Sequence, residues 1–381
     1  MKIEKITEDL QGCPCGKVHK TVTRRAEIGK GMLGKTGEIL RQIGFGDRLH
    51  VVCDRNTWKA SAGLEEVLTR AGFVLSFTTF ENMTNSEMIC AEQIKAESTG
   101  AEALLAVGTG SLNDLTRYAA YQTGRPYAVF ATAPSMDGFV SGVSPLNENG
   151  FKRTYPAEAP VAVIGDSDIL AASPVSLKAA GLADIIGKYT ALADWRVSHL
   201  LTGEYYCEQL ARLVEDAVSQ VCSLTQRLAE NDSEASEKLM EALVLSGIAM
   251  QLCGNSRPAS GAEHHLSHFW EVMFLQAGRP PVYHGVKVGI ATVIIADLYK
   301  KLAEKQEIQV RDRAVVDPKK LQQIYGSMYD EVQKENTPDP MAEINPQKLK
   351  EYWPQIRQII AKIPDASQVI DLLRQANACV F

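Results

Sequence analysis

Between Lys20 and Asp168 the chain alternates short apolar runs with segments whose apolar residues recur at helical spacing. Thr21 to Ile28 opens with β-branched residues and places Val22, Ala26 and Ile28 on one face, so it reads as a strand that Arg24 interrupts. Lys30 to Ile43 carries Met32, Leu33, Ile39, Leu40 and Ile43 at helical spacing and stops at Gly44. Leu49 to Cys53 is a buried-strand run ending at Asp54, and a helix is expected to follow through Arg70. Phe73–Phe77 reads as strand, Ser86–Glu97 as helix, Ala103–Val107 as strand and Leu112–Tyr121 as helix. Tyr127–Ala131 and Val161–Gly165 complete the strand set. Strands alternating with helices of this length specify βαβ units and a parallel sheet, which binds ligands beyond its strands' C-terminal ends.

From about Ser176 the pattern changes. Leu177–Leu201, Tyr205–Glu230, Glu234–Leu252, Gly261–Gln276 and Val286–Lys305 all read as helix, as does the charged, proline-punctuated stretch from Pro318 to Phe381. The expected architecture is an α/β fold: a Rossmann-like parallel-sheet domain over residues 1–172, then an all-helical domain over 173–381. A length of 381 residues suits two domains.

Composition narrows the function. Forty Lys+Arg against 46 Asp+Glu give a formal charge of −6, with no dense run of like charge, so nothing supplies the basic surface that nucleic acid requires. Apolar residues at 45% and charged residues at 23% are those of an ordinary globular chain. No apolar run is long enough for a membrane span, and Met1 to Gln11 lacks the form of a secretory signal, so a soluble, cytoplasmic protein is expected. Eight scattered cysteines do not make a disulfide framework. Cys13-Pro14-Cys15, with His19 nearby, admits two readings: the start of a metal site for which no fourth ligand is evident, or a tight turn set by Pro14 and Gly16.

Three constellations carry chemistry. Gly108-Thr109-Gly110-Ser111-Leu112-Asn113 runs from a strand into a helix, where backbone N–H groups and the helix N-terminus can cradle a pyrophosphate. It is neither a GxGxxG fingerprint nor a Walker loop. Asp54, ending a strand, suits a ribose diol and would repel a 2′-phosphate, favouring NAD(H) over NADP(H); a helix N-cap is the plainer alternative. Thr132-Ala133-Pro134-Ser135-Met136-Asp137-Gly138-Phe139-Val140-Ser141 is a small, polar loop at a strand exit, where ligands bind. Four of the seven histidines fall within 21 residues: His264, His265, His268 and His284. His264 and His268 share a helix face at i, i+4, and His284 opens the next helix, which points to a metal. A third ligand is needed; Asp184 and Asp194 both offer a carboxylate, and spacing does not choose between them.

Taken in order, Gly108–Asp114, Thr132–Gly138, Gly181-Leu182-Ala183-Asp184, Ser256–His264 and His284-Gly285 resemble the sn-glycerol-1-phosphate dehydrogenases, most of all their bacterial branch. These enzymes sit within the iron-type alcohol dehydrogenase, glycerol dehydrogenase and dehydroquinate synthase superfamily. The resemblance covers about residues 15–300. It implies a dehydroquinate synthase-like fold and one divalent ion, Zn2+ or Ni2+, on Asp184, His264 and His284. It also implies substrate contacts from Asp137, Asp184 and His268. Cofactor contacts would come from Asp54, Gly108, Thr109, Gly110, Ser111, Leu112, Asn113, Thr132, Ala133, Pro134, Ser135 and Ser141. The glycine loop usually reads Gly-Gly-Gly in that family; here it is Gly-Thr-Gly.

The implied reaction is the reversible reduction of dihydroxyacetone phosphate to sn-glycerol 1-phosphate by NADH, with NADPH possible, in phospholipid biosynthesis. Arg257 or Lys188 would serve the phosphate. A homodimer is expected, with an apolar helix such as Glu241–Leu252 as its face. The competing readings are a glycerol dehydrogenase-type polyol oxidoreductase, a dehydroquinate synthase-type lyase and a non-catalytic NAD-binding regulator.

Overall fold

The computed structural model describes residues 1–148, 151–310, 317–339 and 344–380, so part of the tail expected to be helical lies outside it. Six parallel strands form one sheet: β1 (Arg25–Gly29), β2 (Arg48–Asp54), β3 (Val74–Phe80), β4 (Ala103–Gly108), β5 (Tyr127–Ala131) and β8 (Ala162–Asp166). Their spatial order is β1-β8-β5-β4-β2-β3, and every pairing is parallel. Strands β6 (Val143–Glu148) and β7 (Phe151–Pro156) make a separate antiparallel pair that the sequence reading did not anticipate.

The apolar runs follow from burial on both sheet faces. In β4, Leu104 and Ala106 enter a core shared with the helical region, while Ala103, Leu105 and Val107 enter a second core. That second core is closed by Leu40 of helix Met32–Gln42 and by Leu64 and Leu68 of helix Leu64–Arg70. β5 divides likewise, Val129 to one side and Phe130 to the other.

The last strand ends at Asp166, and every described element beyond it is helical. The long helix expected over Leu177–Leu201 is two helices, Val175–Ile186 and Lys188–Thr202, that meet at Gly187. A Cβ on Gly187 would come within 2.8 Å of Val288 Cγ1, so the junction marks a close approach of the helix His284–Ala303. The break puts Asp184 and Asp194 on different helices.

β1 begins at Arg25, later than the pattern implied, because Gln251 captures the preceding residues. Its side-chain oxygen accepts from Thr21 Oγ1 (2.6 Å) and from the Val22 N–H (2.9 Å), and its Nε2 donates to Thr23 Oγ1 (3.0 Å). The helix Ser233–Cys253 buries Leu243, Val244, Ile248 and Leu252 inside the chain. Its apolar residues are therefore core, not the dimer face expected of Glu241–Leu252. Among the described residues no helix is long and apolar enough to cross a membrane.

Candidate active site

Because β4 and β5 are neighbours with Gly108 opposite Ala131, both sequence-identified loops leave the same edge of the sheet. The glycine loop enters helix Gly110–Gln122 directly, and Thr109 and Ser135 share a hydroxyl hydrogen bond across the two loops. Asn113 is buried: its amide donates to the Phe139 carbonyl (3.1 Å), and its own N–H is taken by Thr109 (3.0 Å). Leu112 is buried against Gly108. The groups of this motif nearest the sheet edge are thus Gly108 to Ser111, while Leu112 and Asn113 pack beneath. Ser141 accepts from the Val143 N–H and donates to the Val143 carbonyl, both at 3.1 Å, at the entry to β6. Thr132, Ala133, Pro134 and Ser135 are all buried at the β5 exit.

Asp54 stands at the end of β2, where its carboxylate accepts from the Thr57 N–H (2.8 Å) and the Met83 N–H (3.0 Å). It caps the short helix Arg55–Ala60, as the plainer reading had it.

Sequence reasoning missed Arg117. Its guanidinium is fully buried, pairs with Asp114 (2.6 Å), and donates to the carbonyls of Gly138 (2.5 Å), Phe139 (3.1 Å) and Val143 (2.9 Å). A buried charge needs partners of this kind, and here they fix the Asp137-Gly138-Phe139 loop. The only signal in the sequence was an arginine three residues after Asp114 on the same helix.

Three elements of the helical region close on that loop. Gly181 lies so near Pro134 that a Cβ there would overlap the Pro134 carbonyl oxygen, and a Cβ on Gly285 would overlap the Ala180 carbonyl oxygen. Gly181 lets helix Val175–Ile186 seat against the Pro134 backbone, and Gly285 lets helix His284–Ala303 pack backbone to backbone on Val175–Ile186. The result brings Asp184, His264 and His284 together, with one donor atom from each within 4.8 Å of the others. Asp184 is fully buried, His264 nearly so, and His284 partly exposed. The His264–His284 and His268–His284 ring centroids are 5.2 and 5.7 Å apart, so His268 borders the cluster, and His265 is not a member of it.

Asp184 Oδ2 accepts from the Asp137 N–H (2.9 Å), and Oδ1 lies 2.9 Å from Lys188 Nζ and 3.5 Å from His264 Nε2. Lys188 also pairs with Asp137 (2.8 Å), whose carboxylate accepts from Ser246 (3.0 Å). Burial alone would raise the Asp184 pKa, but Lys188 and the two imidazoles hold it well below the usual carboxylate range. Burial and the Lys188 ammonium oppose charge on His264; hydrogen bonds to Asp184 and Glu263 outweigh them and raise it to about 9. Burial keeps His284 neutral, well below its ordinary value.

Glu263 accepts from His264 Nδ1 (2.7 Å) and is itself held by Thr190 (2.5 Å) and the Gly261 N–H (2.8 Å). A carboxylate on the far nitrogen leaves His264 Nε2 facing the cluster, the usual way a metal-binding imidazole is oriented. One carboxylate and two imidazoles make a donor set that zinc or nickel accepts with positions left open.

Asp194, the other candidate, is engaged elsewhere. It accepts from the Ala262 N–H (2.7 Å) and from Tyr299, and burial raises its pKa to about 6. It thereby holds the first N–H of the helix Ala262–Gln276 that carries His264 and His268.

Neither guess for the phosphate is free. Lys188 is locked between two carboxylates, and Arg257 pairs with Glu204 (2.9 Å). Two lysines not singled out from sequence, Lys152 of β7 and Lys287, converge on Glu271 at 2.9 and 3.2 Å, with His268 Nδ1 3.7 Å from the same carboxylate.

A parallel sheet with a glycine loop at its carboxyl edge thus stands beside an Asp/His/His cluster in the helices beyond. A family model described as iron-containing alcohol dehydrogenase matches residues 27–174. Glycerol dehydrogenase from Schizosaccharomyces pombe shares the fold, with a TM-score of 0.61 at 16% identity over 93% of this chain and 89% of that one. Sequence relatives are more specific. The glycerol-1-phosphate dehydrogenase [NAD(P)+] of Bacillus velezensis is 41% identical over 66% of each chain. That of Geobacillus stearothermophilus is 30% identical over 99% of this chain and 89% of its own length. The chain belongs to the glycerol-1-phosphate dehydrogenase [NAD(P)+] family.

Proposed function

We propose that the chain interconverts dihydroxyacetone phosphate and sn-glycerol 1-phosphate with NAD(P)(H), using Asp184, His264 and His284 to hold one Zn2+ or Ni2+. The observation that carries this reading is the convergence of those three donors within 4.8 Å, beside the loops at the carboxyl edge of the sheet. When bound, the ion supplies Lewis-acid polarisation of a carbonyl, and the nicotinamide supplies hydride.

The chain's own residues do the rest. The N–H groups at the start of helix Gly110–Gln122 would hold the pyrophosphate, and Asp54, whose oxygens serve the Thr57 and Met83 N–H groups, would act on a 2′-phosphate through its charge alone, favouring NADH. Asp137 and Lys188 fix the Asp184 carboxylate. His268, one helical turn beyond His264 and half exposed, stands where a proton can pass between the substrate oxygen and solvent. Lys152 and Lys287, only partly neutralised by Glu271, are the donors for the substrate phosphate.

The test is a comparison of kcat/KM for dihydroxyacetone phosphate and dihydroxyacetone, with NADH and with NADPH. Strong preference for the phosphate ester is expected, and Lys287→Ala should raise its KM about tenfold, the worth of one charge-assisted hydrogen bond, while changing dihydroxyacetone little. Preference for dihydroxyacetone would reassign the chain to a glycerol-type dehydrogenase.

A further inference from the structure

The Cys13-Pro14-Cys15 segment, left with two readings by the sequence, acquires a fourth donor in the fold. Cys13, Cys15, His19 and Cys207 place one donor atom each within 4.8 Å of the others. The Cys13 and Cys207 sulfurs are 3.6 Å apart; His19 Nε2 lies 3.3 Å from Cys15 Sγ and 3.9 Å from Cys207 Sγ. A tetrahedral zinc with ordinary bond lengths separates two sulfurs by about 3.8 Å and a sulfur from a nitrogen by about 3.5 Å. These three separations lie within about 0.4 Å of those values, the remaining ones are under 4.8 Å, and all of these cysteines are free thiols.

We propose that these four residues bind a second metal, a structural Zn2+ distinct from the Asp/His/His site, that fastens the segment ahead of β1 to the helical region. The proposal goes beyond the reaction assigned above and does not depend on it. Three separate stretches of chain build the site. The turn from Cys13 to Gly16, closed by the Gly16 N–H on the Cys13 carbonyl (3.1 Å), presents two thiols side by side. Cys207 occupies the N-cap position of helix Glu208–Cys222, with its sulfur turned to the other donors. His19 uses its other nitrogen, Nδ1, on the Leu252 carbonyl (3.0 Å), which leaves Nε2 facing the sulfurs.

The surroundings suit a closed site. Tyr205 donates to Cys15 Sγ (3.3 Å), and Lys17 lies over the Tyr205 ring (4.8 Å) and donates to the Cys253 carbonyl. Cys13 and Cys207 are buried, and His19 is 8% exposed. Three thiolates and one imidazole fill a tetrahedral shell with no position left for substrate, so the role is architectural. Sulfur-rich donors also sort this site from the Asp/His/His site, whose oxygen and nitrogen donors suit a harder ion.

The experiment loads the full-length protein with Co2+ in place of its native metals and records the absorption spectrum, alongside elemental analysis of the protein as purified. A thiolate-to-cobalt charge-transfer band and two metal ions per chain are expected, at least one of them zinc. The Asp/His/His site contains no sulfur, so it cannot give that band, and Asp184→Asn should leave the band intact. Cys13→Ser combined with Cys15→Ser should abolish the band and one metal equivalent and lower the melting temperature. If that variant does not fold, the wild-type spectrum decides alone. Absence of the band from the cobalt-loaded wild type would overturn the proposal, as would a Cys13–Cys207 disulfide in the native protein.

Discussion

The two donor clusters of this chain are built from the same kind of parts and arrive at opposite designs. At Asp184, His264 and His284 the helices bring a carboxylate and two imidazoles to the sheet's carboxyl edge, and His284 keeps some exposure. At Cys13, Cys15, His19 and Cys207 the donors are mostly sulfur and number four. Three donors with open positions suit turnover, whereas four with none suit a fastening. In each, a histidine is aimed by a hydrogen bond on its far nitrogen, Glu263 for His264 and the Leu252 carbonyl for His19. The difference lies in what faces solvent, and backbone packing decides that.

The sharpest way to separate the clusters is Asp184→Asn. It should lower kcat/KM by about a thousandfold or more, the equivalent of ~4 kcal/mol of transition-state stabilisation, without disturbing the thiolates. An activity within tenfold of wild type would remove Asp184 from the site. Next comes Gly285→Ala. The new methyl group has only the Ala180 backbone to push against, so a loss of about 1–3 kcal/mol is expected, together with lower activity because His284 adjoins it. Chemical denaturation would register it; unchanged stability would mean that the two helices are not in backbone contact.

Glu263→Gln probes the orienting carboxylate. It should weaken metal affinity at the catalytic site about 10- to 100-fold, seen as a lower chelator concentration for half-inactivation, while metal at the thiolate cluster stays put. Equal loss from both sites would mean a general unfolding rather than a local effect.

The smallest effect concerns a histidine belonging to neither cluster. His50 is buried in β2 and hydrogen-bonded to Ser76 (2.8 Å) and Thr78 (2.9 Å), and burial lowers its pKa from 6.5 to about 4. Between those values the unfolded chain binds a proton that the folded chain refuses, so stability must fall as pH drops from 6.5 toward 4. His50→Gln should flatten that part of the stability–pH curve. An unchanged slope would show that His50 is protonated in the fold.

Much of this was legible in the residues. Strands β2, β4 and β5 are continuous apolar runs because both faces are covered, and a parallel sheet fixes where its loops emerge. The motif order pointed to Asp184, His264 and His284, and the fold places them together. What could not be read depended on contacts between distant segments. Spacing could not separate Asp184 from Asp194, because the break at Gly187 answers to Val288 a hundred residues on. Cys207 could not be joined to Cys13, since 194 positions separate them and only packing closes the gap. Arg117 looked like any helical arginine until its carbonyl partners appeared. The β6–β7 pair had a local signal, the Asn149-Gly150 dipeptide between two short runs, which the prominence of the parallel pattern obscured.

On the proposed function, three donors at the edge of the sheet hold the ion on which hydride transfer to a phosphorylated ketone depends. The most direct measurement is dihydroxyacetone phosphate-dependent NADH oxidation before chelation, after chelation and after return of Zn2+ or Ni2+. Loss on chelation and recovery with one of these ions in the wild type, with no recovery in His264→Ala, is the expected result. Full activity in protein shown by elemental analysis to hold no metal at this site would contradict it.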